Sequence, residues 1–139
     1  MSAARLLVLL FALLAPALSP AQTLEALASR LPDGDFDDRA AVIAEIGRSG
    51  DPRAINLLER LADGDLAVLD ANGRIVRIVE DGRDDFAFDL FTDEPHGEIG
   101  RRDADKIRVN NALRRAIDAA IGMLTLASPD PARRIEAAL

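Results

Sequence analysis

The stretch Lys106–Arg115, K-I-R-V-N-N-A-L-R-R, opens the longest helical pattern of the chain, and the fold is read outward from it. Ile107, Leu113, Ile117, Ile121 and Leu124 share one stripe of a 3.6-residue period, while Arg108, Arg114, Arg115 and Asp118 lie away from it. That spacing predicts a helix with one buried face. Asp103 and Asp105 precede it with the carboxylates that free N-terminal amides and a helix dipole favour, so a start near 103 is expected. Ser128-Pro129 ends it, since proline disfavours helical geometry in the residue before it and cannot donate the next hydrogen bond. Within this helix Asn110 and Asn111 are unexpected, because asparagine in a helix interior competes for backbone groups. Two explanations remain open. One asparagine fixes how helix and neighbouring backbone dock, or Arg108, Asn110, Asn111, Arg114 and Arg115 form a polar patch for a partner, arginine being suited to carboxylates.

At 139 residues the chain fits one domain. Residues 1–21 have the pattern of an export signal: Arg5 is the positive end, Leu6–Leu14 an apolar run and Ser19-Pro20-Ala21 a small-residue cleavage site. The formal charge of −7 disfavours nucleic acid as a partner, since an acidic field repels phosphate. The charge is unevenly spread, and 101–139 carries 8 basic and 5 acidic side chains. With no cysteine there is neither disulfide framework nor thiol chemistry.

Residues 22–65 read as helices: a short one over 23–31 with Leu24, Leu27 and Leu31 on one face, one over 36–47 with Phe36, Ala40 and Ile43 inward, and one over 53–62 with Ile55, Leu57, Leu58 and Leu61 inward. Asp51-Pro52 is the start signal of the third, which forms a helical hairpin with the second. From 66 to 100 the period changes. Strands are expected at 66–70 and 74–79 around the Asn72-Gly73 turn, with a weaker one at 86–91 beyond Asp81-Gly82 and a loop over 92–100. The tail Ser128-Pro129-Asp130-Pro131 echoes Ser49-Gly50-Asp51-Pro52, and helix pairs that open on Asp-Pro suggest a HEAT-like array, with 128–139 starting a further helix. The expected fold class is therefore α+β, mainly α: HEAT-like helical hairpins flanking a small antiparallel ribbon.

Sites of chemistry are sparse. The cluster Asp33-Gly34-Asp35-Phe36-Asp37-Asp38 spaces acids as a calcium loop does, but a count from Asp33 puts Asp38 where that loop needs glycine and Ala44 where it needs glutamate. Helix capping explains it better. His96, the single histidine, sits in a Pro/Gly loop without fixed partners, and Asp84-Asp85 point to opposite faces of a strand. No catalytic, cofactor or metal residue is assigned, and an enzyme ranks last among the readings.

The run V-N-N-A-L-R-R (Val109–Arg115) with A-I-D-A-A behind it, and L-A-V-L-D-A-N-G-R-I-V and T-D-E-P-H-G before it, resembles the N-terminal extension of bacterial urea ABC-transporter permease subunits. The likeness spans roughly 25–139. It implies an inner-membrane permease of the branched-chain amino acid type, working with a second permease, two ATPases and a periplasmic urea-binding protein. The chain departs from that family in having no run of about 20 apolar residues after residue 18. What the resemblance implies here is a non-catalytic extracytoplasmic segment on the periplasmic side of the inner membrane, acting by protein contacts and without cofactor. The other reading is a free periplasmic helical-repeat adaptor.

Overall fold

The computed structural model describes residues 23–130. The export-signal reading of 1–21 and most of the tail helix expected at 128–139 fall outside the described residues. Helix α1 spans Leu24–Ser29, α2 Phe36–Arg48 and α3 Arg53–Asp63. Strands β1 (Leu66–Leu69), β2 (Ile75–Asp81), β3 (Asp84–Asp89), β4 (Pro95–Ile99) and β5 (Ala104–Lys106) follow, and α4 (Asn111–Leu126) closes the series.

The helices begin where short polar side chains can hold free amides. Thr23 caps α1 through Oγ1, and Asp35 and Asp38 form a reciprocal capping box on α2. The acids of the 33–38 cluster that form this box are thus capping groups. At α3 the Asp51 carboxylate accepts the Arg53 N–H at 2.9 Å, from one residue ahead of Pro52, which occupies the N-cap position and has no capping side chain.

The HEAT-like arrangement is overturned. An array of that kind packs each helix on its sequence neighbour, whereas α2 packs mainly on α4 and has little contact with α3. Arg39 near the start of α2 reaches the Arg108 carbonyl just before α4, and Gly47 near its end meets Ala120 and Met123 of α4. The two helices therefore run in the same direction, and the segment 49–110, which holds α3 and the whole sheet, separates them in sequence. Leu113, Ile117, Ala120 and Leu124 of α4 are buried with Ile43 and Ile46 of α2 and Leu57, Leu58 and Leu61 of α3. Leu66 joins this cluster from the sheet, with Val68 and Ile75 against it. Phe36, expected inward, is 42% exposed.

The ribbon is a five-stranded antiparallel sheet of order β4-β3-β2-β1-β5. The third strand lies at 84–89 rather than 86–91, its register with β2 fixed by the two-residue turn at Gly82. The expected 92–100 loop contains β4, and the expected first helical turns at 103–106 are β5, paired with β1. β4 and β5 are the two edges of the sheet, yet only residues 100–103 connect them. Flat strands stand about 4.8 Å apart, so a link this short requires the sheet to roll until its edges approach. Ile99 from β4 and Ala104 from β5 accordingly pack on one inner cluster of Ala67, Val76, Ile78 and Ala87.

The sheet is clamped to the helices at the turn after β3. Asp89 Oδ1 accepts the N–H groups of Phe91 and Thr92 at 2.9 and 3.0 Å, and Asp93 sits at φ 56°. Arg60 of α3 donates to the Leu90 carbonyl at 2.9 Å and to Asp93 Oδ2 at 3.0 Å, while Arg77 of β2 donates to Asp93 Oδ1 at 3.0 Å.

Candidate functional site: a cationic groove beside β5

α4 starts at Asn111, not near 103, which changes the meaning of both asparagines. Asn110 is the N-cap, its Oδ1 accepting the Leu113 N–H at 2.8 Å, and Asn111 is the first helical residue, exposed. Neither is in the helix interior. The Asn110 Oδ1 is thus spent on the cap, while its Nδ2 makes no hydrogen bond among the described residues. Ile107, read as part of the helical stripe, is buried from the extended link that leads into the helix.

Arg108, Arg114 and Arg115 are exposed, and their side chains have no ion pair among the described residues. Most other described arginines are used internally. Arg53 meets Glu25 and Asp51, Arg60 and Arg77 share Asp93, and Arg74 lies 3.8 Å from Asp89. Arg101, Arg102, Arg108, Arg114 and Arg115, without an ion pair among the described residues, thus flank β5 and the start of α4, while Arg48 and Arg83 are likewise without one elsewhere.

Arg108 also lines a groove of about 670 Å³, within the size range of ligand pockets. Its walls are Pro32, Phe36 and Arg39 on one side and Val68, Asp105, Lys106, Ile107 and Arg108 on the other. Arg39 holds the groove together. Its Nη2 donates to the Pro32 carbonyl at 2.9 Å and its Nη1 to the Arg108 carbonyl at 3.5 Å, while its Nε is buried without a partner. It meets carbonyls only, so its charge is not neutralised. The guanidinium lies 5.6 Å from the Phe36 ring centroid, a favourable cation–π geometry. Lys106 extends to Glu80 on the opposite face of the sheet. Asp105 is the one carboxylate of the lining.

This arrangement is built to take negative charge beside an exposed aromatic ring. Phe36 and Arg39 were not among the expected site residues. Their signal is their spacing: an aromatic at the first helical position with a cation three residues on, both on one side of the turn. A second cleft, between Ala28, Ile75, Leu90 and Phe91, carries Arg53 with both carboxylates already bound to it, so its charge is internally balanced. His96 lies 3.9 Å from Asp89 at the rim of the sheet, away from the groove. Among the described residues no group of three His, Asp or Glu side chains could hold a metal ion, and no helix is long and apolar enough to cross a membrane.

Comparison with family models, with curated proteins and with solved structures gives no match to this chain.

Proposed function

We propose that the chain is a non-catalytic docking module, the extracytoplasmic segment of a urea-uptake ABC permease, and that it binds an acidic surface of another transporter subunit. One observation carries the docking part: in a chain of net charge −7, Arg39 and Arg108 line one groove without a carboxylate partner, and Arg114 and Arg115 follow within two helical turns. An exposed arginine discriminates strongly for carboxylates, because its planar fork can donate two parallel hydrogen bonds. The transporter part rests on the resemblance carried by Val109–Arg115. In this reading the partners are the periplasmic urea-binding protein, the second permease and, through the parent protein, the two ATPases, and the location is the periplasmic side of the inner membrane.

Capture experiments test it. The full chain is expected to retain the urea-binding protein or a permease subunit at low salt and to lose much of it at high salt, since exposed charges are screened beyond about 8 Å at physiological ionic strength. Charge reversal at Arg108, Arg114 and Arg115 together should abolish capture and leave the melting temperature unchanged. If every transporter subunit is ignored at both salt concentrations, the transporter assignment fails, and a free periplasmic adaptor is the better description. Urea hydrolysis by the purified chain would overturn both.

A further inference from the structure

β5 is an edge strand, and its hydrogen-bonding pattern leaves one side open. The Asp70 N–H donates to the Asp103 carbonyl at 3.0 Å, and the Ile107 N–H donates to the Leu66 carbonyl at 2.9 Å. These two pairs bracket the β1–β5 ladder, whose register matches Val68 with Asp105 and Ala67 with Lys106. In an antiparallel ladder the bonded pairs alternate, so 103, 105 and 107 face β1 while the amides and carbonyls of Ala104 and Lys106 point outward. β5 is last in the strand order and no further strand is hydrogen-bonded to it, although the tight turn at 100–103 brings β4 near its Ala104 end and leaves Lys106 and Arg108 as the open positions. Arg108 continues the outward set: its N–H has no hydrogen-bond partner among the described residues, and its carbonyl has only the long contact to Arg39.

Lys106 and Arg108, two of the three residues of this outward set, also line the cationic groove. At the opposite edge of the sheet β4 is different. Pro95 supplies no N–H, Gly97 has φ 97°, a bulge interrupts its register with β3, and Glu94 and Glu98 surround it with negative charge. Those are features that natural sheets use to block strand addition. β5 is short and carries Asp105 and Lys106, but it has no proline and no bulge.

We propose that the β5 edge accepts an extended acidic segment of a protein partner as a sixth strand, with an apolar side chain seated on Phe36 and a carboxylate between Arg39 and Arg108. The proposal rests on the docking reading and specifies its chemistry. Main-chain bonds to Lys106 and Arg108 would supply affinity, and the alternation of side chains along a strand would supply selectivity, as in other strand-addition complexes. Val68 and Ile107 give the inner wall for the apolar side chain. The Arg39 guanidinium meets only the carbonyls of Pro32 and Arg108, so its charge has no carboxylate partner among the described residues.

The test uses the full chain and a blocked peptide of alternating acidic and apolar residues containing one phenylalanine, followed by amide-resolved NMR. Shifts are expected at Lys106, Arg108 and Phe36. Two N-methylated versions of the peptide, each blocking one alternate set of amides, should differ: one loses binding and the other keeps it, because only one set faces β5. Arg108→Glu and Phe36→Ala should each weaken binding about tenfold with an unchanged fold, the scale of one charge-assisted contact. Equal binding of a lysine-for-acid peptide, equal behaviour of the two methylated peptides, or absence of shifts at β5 would overturn the proposal. If subunits are captured through Arg114 and Arg115 while the peptide fails, strand addition is wrong and docking stands. If the peptide binds as described and no subunit is captured, strand addition stands and the transport assignment falls.

Discussion

Asn110 and Asn111 stand side by side in sequence and do different things. Asn110 holds the Leu113 amide at the start of α4, a bond that a helix end otherwise leaves to water. Asn111 points into solvent one residue later. Asn110→Ala should therefore destabilise the fold by about 1 kcal/mol, the usual loss at an N-cap, while Asn111→Ala should stay within about 0.5 kcal/mol of the parent. Guanidinium denaturation of the two variants distinguishes them, and equal losses would mean that the cap assignment is wrong. That either residue is unusual for a helix interior is evident from residue type alone. That the helix starts between them is not, because Asp103 and Asp105 offer an equally good cap in sequence and lose only because β1 pairs with 104–106.

At the scale of elements the decisive contact is α2 against α4. A Cβ at Gly47 would lie 2.9 Å from Ala120 Cβ and 3.0 Å from Ala120 Cα, and a backbone atom cannot swing aside. Gly47 is a helical residue, so replacing it with alanine ought to stabilise by about 1 kcal/mol through helix propensity. The close crossing reverses the sign: Gly47→Ala is expected to cost about 1–3 kcal/mol, the range for overpacking a filled site. Ala120→Gly in the same molecule should recover part of that loss, and a double-mutant cycle reads the coupling. A stabilised Gly47→Ala variant would show that the helices are not in contact there. The apolar stripe of each helix was readable by period; which two stripes meet was not, since a hydrophobic face has no label for its partner.

At the scale of the molecule, the joint between helices and sheet is electrostatic as well as apolar. Hydrogen bonds from Arg60 first, then Arg77, hold the Asp93 carboxyl below its ordinary value, and the amides of Thr92 and Phe91 do the same for Asp89. A carboxyl with a depressed folded-state pKa adds stability above its unfolded value, near pH 4, and loses it as pH falls through the lower folded value. The melting temperature should therefore drop on acidification below about pH 4. Asp93→Asn keeps a residue suited to the φ of 56° while removing the charge. It should melt lower than the parent at neutral pH, show a shallower acid limb, and converge with the parent at the acid end. A constant offset across pH would show that the two arginines do not act through the Asp93 charge. Several features were set by sequence alone: the acidic charge, the apolar stripes of the helices and the first hairpin at Asn72-Gly73. These depend on residues close together in the chain, where period and turn chemistry act directly. The tertiary structure decided the rest, namely that five strands roll into one sheet, that α2 and α4 lie parallel, and that Phe36, Arg39 and Arg108 form one groove along an open strand edge. Those outcomes join residues far apart in sequence, Arg39 with Arg108 and Ala67 with Lys106 among them, and they are selected by which faces bury each other and which backbone groups find partners, a choice made only when the whole chain is packed.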